Sequence, residues 1–473
     1  MLAKAEARKT EWSGHAVVVG AGISGLLSAR VLSARFARVT LVERDVLPDE
    51  AVARKGVPQG RHLHSLATRG SEILEDLFPG LDAELADAGC PLLDQAADAV
   101  TELPAGRMPR FRSGITMRAA SRAIIERRVR ARLEADPKVG FLSGREAVGL
   151  VPGPERGVAA GIRTRFREDG STEEVSADLI VDASGAGSRT PRWLEEIGYD
   201  APRETVVDAR LGYATRWYRV PEDFEGDWTG VAVLPGWPES TRGGTLRRIE
   251  GGLWTAVLIG TSGDYPSTEP GDFLDFAASL HSPAIHDAIK DAEPVSPVYG
   301  YRRTANRLRH YEKTRLPENF LVAGDAACVL NPSYGQGMTA AALSAMALRK
   351  CLEGGRGANL SRRFQRRQRK AVASCWTATT NSDAQWAAGG VEGLNPARRT
   401  LYRISEEVMK LAVEREDVAR TLLGVKNVME PPAALLRPGI LLPALARTIT
   451  RRLLAKPRAS GTVPLASSRQ ERS

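Results

Sequence analysis

His15-Ala-Val-Val-Val19 is a short apolar run rich in β-branched residues, and it leads directly into Gly20-Ala-Gly22-Ile-Ser-Gly25. The run reads as a buried strand. Residues 24 to 36 then read as a helix with Leu26, Leu27, Ala29, Val31 and Leu32 on its apolar face. Val39-Thr-Leu-Val42 is a second buried strand, ending at Glu43. Together they make one βαβ unit of about 30 residues. At this spacing Gly20 permits a tight turn, Gly22 lets backbone approach a pyrophosphate, and Gly25 lets helix and strand pack closely. The helix N-terminus adds about half a positive charge and free N–H groups. Glu43 would accept from a ribose hydroxyl. A strand, this turn, a helix and a following acid together predict a bound dinucleotide.

The rest of the composition narrows the class. The chain has 473 residues, about three domains at a prior of roughly 150 residues each. Its 66 Lys and Arg against 57 Asp and Glu give a formal charge of +9. That excess suits an anionic cofactor, nucleic acid or a membrane surface without choosing among them. Cys90, Cys328, Cys351 and Cys375 are far apart and form no CxxC pair, so neither a zinc site nor a disulfide framework is expected, and a reducing cytoplasm fits. Met1–Thr10 reads as a polar leader without the apolar core of a signal peptide. No run approaches the roughly 20 apolar residues of a membrane span. Arg362–Lys370 holds six basic residues in nine, which read as a solvated helix face, so no nucleic-acid partner is expected.

Along the chain, Asp45–Arg61 reads as a long polar loop of the kind that covers a ligand. Helices are expected over Ser65–Leu77 and near Arg118–Glu134, with strands over Gly157–Phe166 and Glu174–Val181. Leu211–Val220, Gly230–Leu234 and Leu253–Ile259 alternate or are β-rich, with turn residues between them. They predict an antiparallel sheet inserted in the first domain. Leu321-Val-Ala323 is again a buried strand, and the chain from 338 onward is helical until a polar tail after Lys456. The expected organisation is α/β. A Rossmann-type domain spans 14–200, with its covering loop at 45–64, and resumes at 301–355. An antiparallel-sheet substrate domain lies at 201–300, and a C-terminal helical region with tail at 356–473.

A second motif decides between dinucleotides. The strand at 319–323 runs into Gly324-Asp325, then Asn331-Pro332-Ser-Tyr-Gly335-Gln-Gly337-Met338 and an Ala-rich helix. An Asp at a strand end can accept from the hydroxyls of a ribityl chain, and the Gly-rich turn aims free N–H groups at an acceptor. With the glycine fingerprint and Glu43-Arg44, this resembles flavoprotein monooxygenases of the aromatic hydroxylase and squalene epoxidase type, over roughly residues 14 to 350. The resemblance implies bound FAD, with dioxygen as co-substrate and electrons from NAD(P)H directly or through a separate flavin reductase. It implies Asp325 at the ribityl chain, and Pro332, Gly335, Gly337 and Met338 along the flavin's pyrimidine edge. Arg122, opening the Arg-rich helix, and Arg54, in the long loop, would approach the cofactor. Ala21, Ser24 and Val148 complete the implied cofactor set. Ser184 stands where NADPH-using hydroxylases carry an Asp, which puts direct use of NAD(P)H in doubt.

His62-Leu-His64 could place two imidazoles on one face, but no third ligand accompanies them, so no metal is expected and the loop is read as lining a channel. The Gly56–His64 and Asn331–Met338 wording is most similar to actinobacterial epoxidases of polyether antibiotic pathways. That resemblance implies epoxidation of the alkenes of a linear, apolar polyene polyketide through a flavin C4a-hydroperoxide, with an FAD-dependent aromatic hydroxylase or another flavin oxidoreductase of secondary metabolism as the alternative. Such chemistry needs no protein nucleophile, and none is evident. Trp217, Tyr218, Trp228 and Trp254 are candidates for an apolar pocket wall, as alternatives to plain core. Tyr213 and Tyr334 are candidates for hydrogen bonding near the reacting oxygen. Residues 433–454 mix Leu and Ile with Arg437, Arg447, Arg451 and Arg452. Pro438 and Pro443 should break any long helix there, leaving two short helices packed on the FAD domain, with weak peripheral membrane contact as the lesser reading.

Overall fold

A computed structural model describes residues 14–155, 157–236, 240–355, 359–386 and 391–454. The polar leader and the tail after Lys456 lie outside these residues. The fold is α/β, with a Rossmann-type parallel sheet, a large antiparallel sheet and a helical C-terminal region.

The parallel sheet has the order Phe320–Val322, Leu179–Asp182, His15–Val19, Arg38–Glu43, Val139–Ser143. Alternating residues of its central strand go to different cores. Ala16 and Val18 meet the helices Ile23–Ser33 and Gly337–Glu353, while Val17 and Val19 meet the antiparallel strands 145–176 and Phe320. Burial on both faces is why these strands read as unbroken apolar runs. The fingerprint helix covers Ile23–Ser33 and the Arg-rich helix Arg122–Glu134, whose N-cap Ser121 accepts from the N–H of Ile124. Both are shorter than the sequence suggested, because Ser33 and Ser121 mark their ends.

The second sheet has seven strands, in the order Tyr299–Tyr301, Gly212–Arg219, Leu253–Gly260, Arg242–Ile249, Gly230–Val233, Ala99–Leu103, Gly106–Arg107. Ala99–Leu103 pairs parallel with Gly230–Val233, so this sheet also uses an edge from far earlier in the chain. One face packs on helices Pro270–Ala278 and Ala284–Ile289. The other face is covered by the loop carrying His62 and Leu63.

The C-terminus corrects one expectation. Pro438–Leu454 is a single helix that continues through Pro443. Pro438 occupies the first helical position, where a missing N–H costs nothing. The carbonyl freed by Pro443 is that of Gly439, and it accepts instead from Arg415 Nη1 at 3.1 Å. Ile440 and Ala444 of this helix are buried against Val408, Leu411 and Ala412, so packing holds it. No helix among the described residues is long and apolar enough to cross a membrane.

Candidate functional site

The two glycine motifs meet. Gly20 turns at φ +97° and donates to the Val42 carbonyl at 2.8 Å, closing the first strand onto the second. A Cβ on Gly25 would fall 1.8 Å from the Gly20 carbonyl oxygen, so only glycine lets the helix begin there. Gly324, at φ +60°, faces the same helix from the other motif, and a Cβ there would lie 2.4 Å from Ser24 Oγ. Asp325 follows at this junction.

Asp325 keeps some accessible surface, yet burial is the main influence on its carboxyl and pushes it up, against the pull of Arg122 and Arg307. The surface it shows therefore belongs to a deep crevice. It has no hydrogen-bond partner among the described residues, and the buried Ser24 hydroxyl is also unpartnered. Buried acceptors without partners are costly, and a ligand's hydroxyls would relieve that cost. The free N–H end of the helix at Gly337 faces open space at its glycine. This donor and acceptor set fits FAD.

Glu43 is already engaged. Its two oxygens accept from the N–H of Ala21 at 2.7 Å and of Asp45 at 3.0 Å, and Arg54 Nη1 lies 3.3 Å away. A carboxylate has further lone pairs for a ribose hydroxyl. Arg54 Nη2 donates to the Ala21 carbonyl, so the loop that carries it is tied to the fingerprint. Sequence reasoning missed Glu126, which joins the two expected arginines: Arg122 Nε at 2.6 Å and Arg54 Nη2 at 3.2 Å. Burial opposes its charge, but the two guanidiniums win and hold its carboxyl below the usual range. A Cβ on Gly22 would lie 3.6 Å from Arg122 Nη2, which places that guanidinium over the turn. Arg44 is exposed and donates to the Gly56 carbonyl, pinning the loop from outside. Val148 lies in a register irregularity of the strand Arg145–Pro152. Met338 is buried in the core behind the helix, and Pro332 opens a 3-10 turn ended by Gly335 at φ +66°.

The aromatic candidates divide. Tyr213, Thr215 and Trp217 alternate onto the loop-facing side of the sheet. Tyr213 stacks on Tyr301 with centroids 5.3 Å apart and meets the edge of His62 at 4.8 Å. Trp217 Nε1 donates to the Arg61 carbonyl. Tyr218, Trp228 and Trp254 pack on the opposite side, with Phe224. Trp254 is therefore core and no part of the wall. Period-two alternation alone separates Trp217 from Tyr218. Tyr334 is also corrected: its hydroxyl donates to the buried Asp383 at 2.7 Å, where Asn331 and Asn306 donate too, so its proton is committed. Asp383, far along the chain in the helix Ala373–Ala384, locks the 331–335 turn.

His62 Nδ1 and Thr215 Oγ1 are 2.7 Å apart, and burial pushes this imidazole down to about 4. Burial and then Arg122 push His64 down to about 3. Both are neutral at physiological pH. No cluster that could hold a metal ion occurs among the described residues.

The fold and the two-motif crevice define a flavoprotein. Residues 14–376 match the family described as "FAD binding domain", and the chain belongs to that family of FAD-dependent monooxygenases. It is 34% identical over 349 residues to Protein Rv3254 of Mycobacterium tuberculosis, covering 72% of this chain and 73% of that one. It is 26% identical to kynurenine 3-monooxygenase of Salinispora tropica, over 71% and 72% of the two chains. Among solved structures, anhydrotetracycline hydroxylase from Streptomyces rimosus superposes with a TM-score of 0.59 at 17% identity, covering 88% of this chain and 76% of that one. The p-nitrophenol 4-monooxygenase of Pseudomonas putida gives 0.61 at 16%, covering 88% and 98%. These structural likenesses concern the fold alone.

Proposed function

We propose that this monooxygenase epoxidises alkenes of a linear polyene polyketide, in polyether antibiotic biosynthesis. The observation that supports this reading is that His62, the imidazole on the wall, is buried with Nδ1 2.7 Å from Thr215 Oγ1, and burial pushes it down to about 4. An imidazole so placed is too weak a base to take a phenolic proton at neutral pH. Phenol hydroxylation gains from such a base, whereas an alkene donates its π electrons to an electrophilic oxygen and needs none. Reduced FAD, when bound, activates dioxygen and supplies that oxygen. The chain's own work is positional. Leu63, Tyr213, Val257, Ile259 and Tyr301 cluster on the loop-facing side of the sheet, and the proposal gives this apolar wall the role of holding a chain in place and excluding water.

Cofactor roles follow from the crevice. Asp325 would accept from the ribityl hydroxyls, Glu43 from the ribose, and the Gly20–Gly25 turn and the helix end at Gly337 would receive the phosphates and the flavin edge. Arg54 and Arg122, set by Glu126, would fix the loop against the cofactor. Ser184 is exposed, and its N–H donates to Asp182. With no carboxylate at that position, electrons are proposed to arrive through a separate reductase. A second reading, aromatic hydroxylation, is favoured by the likeness to kynurenine 3-monooxygenases. Reduced holoenzyme offered a linear polyene and a simple phenol together discriminates between them by mass spectrometry. Epoxide from the polyene is expected. Ring hydroxylation with no epoxide would overturn the reading.

A further inference from the structure

Arg247 and Lys426 are two cations that meet one region of the loop-facing wall from opposite sides of the chain. Arg247 shares its row across the sheet with Thr255 and Trp217, and its Nη1 donates to Ser65 Oγ at 2.6 Å. Ser65 in turn touches Gly335: a Cβ there would lie 2.8 Å from the serine Cβ. Lys426 ends the helix Glu416–Lys426, and its carbonyl accepts from Gln336 Nε2 at 2.8 Å. The next residue is stitched to the residues that follow Ser65 and to Gln95. Asn427 Oδ1 accepts from the N–H of Thr68 and from Gln95, and the Asn427 carbonyl accepts from the N–H of Arg69. Val428 then adopts φ +57°, an uncommon conformation for a β-branched residue. The backbone here is held in place on several sides.

Neither cation forms an ion pair among the described residues. Burial pushes Lys426 down to about 8, with the nearby Arg247 charge adding to the effect, and pushes Arg247 down to about 10; no acidic group counters either shift. Lys426 keeps surface open to solvent. Two neighbouring cations without a counter-charge are electrostatically incomplete. Four residues along the strands separate the Arg247–Trp217 row from the Ile259–Tyr213 row, about 13 Å at strand rise. The wall is thus cationic at one end and apolar at the other.

We infer that Arg247 and Lys426 form an anion site that takes the carboxylate terminus of an elongated apolar substrate. This rests on the proposed function for the body of the substrate, and it adds the head group. The carboxylate would sit between the guanidinium and the ammonium, leaving the alkenes along the Tyr213 wall.

The test uses FAD-loaded protein and two probes, a linear polyunsaturated fatty acid and its methyl ester, titrated by the change in flavin absorbance. The acid should bind about ten- to a hundredfold tighter than the ester, as a charge-assisted contact does. Lys426→Met and Arg247→Met should each lose most of that preference, and Lys426→Arg should keep it. The Met variants should also melt at a higher temperature without ligand, because each removes an unpaired charge; a purely structural lysine predicts the reverse. Equal binding of acid and ester, no binding of the acid, or a preference unchanged in the variants overturns the inference. So does a shifted flavin potential in Lys426→Met with the preference intact, which would assign the cations to the cofactor. Epoxide formed from the ester is scored separately, so failure of the anion site is distinguishable from failure of the epoxidase reading.

Discussion

Gly324→Ala tests the packing of one glycine motif on the other. The new Cβ would lie 2.4 Å from Ser24 Oγ and 2.6 Å from Ser24 Cβ. Overpacking of this kind costs about 1–3 kcal/mol. The left-handed backbone at φ +60° adds about 1–2 kcal/mol for a residue with a Cβ. The single variant should therefore lose about 2–5 kcal/mol in stability. Ser24→Gly removes both clashing atoms and forfeits no hydrogen bond, since that hydroxyl has no partner. Its own cost is the helix penalty of glycine, about 0.5–1 kcal/mol. The double variant should recover the steric part and keep the backbone part, a coupling of about 1–3 kcal/mol. Urea unfolding of the apoproteins, followed by tryptophan fluorescence, measures each corner of the cycle. Distant sites add within about 0.3–0.5 kcal/mol. Additivity at that level would refute the contact, and with it the claim that the two motifs build one crevice.

Asp325→Ala should weaken FAD binding about ten- to a hundredfold by removing a charged acceptor, read by titrating apoprotein with FAD; unchanged affinity would remove its ribityl role. Asp94 tests acid lability. Burial opposes its charge, but Ser113 Oγ and the N–H groups of Ala97, Ala96 and Gly114 hold its carboxyl down to about 2. Its folded value is below the unfolded one, so the stability it contributes is complete above about 4 and is lost as pH falls toward 2. Asp94→Asn should flatten that part of the urea-midpoint profile, and an unchanged slope would contradict the assignment. Deleting residues 431–473 should lower stability or solubility by uncovering Val408, Leu411 and Ala412; an intact soluble flavoprotein that no longer sediments with anionic liposomes would favour the membrane reading instead. Ser184 predicts slow flavin reduction by NADPH alone, and stopped-flow reduction at catalytic speed without a reductase would contradict it.

The parts of this molecule that local chemistry dictates were legible in its sequence. A β-branched run, three glycines and a following acid can hardly make anything but the first βαβ unit, and Gly324-Asp325 after a buried strand repeats the logic. The alternation at 211–220 announced a sheet. The facing of its tryptophans is not marked locally, because Trp217 and Trp254 look alike until the pairing of Tyr218 with Trp254 puts Trp254 on the far side. Glu126 lies within an Arg-rich helix where no motif marks it, and its partner Arg54 lies 72 residues away. Lys426 and Asp383 come from the C-terminal region, where no motif marks them. They matter only because tertiary contacts bring the ends of two helices to the 331–336 turn. Pro443 was judged by its ring alone, without the arginine that takes up the freed carbonyl.

Incubating reduced, FAD-loaded protein with isotopically labelled dioxygen and a linear polyene tests the central claim most directly. The account predicts an epoxide whose oxygen carries the label from dioxygen. An epoxide oxygen derived from water, or a product with no oxygen inserted at an alkene, would contradict it.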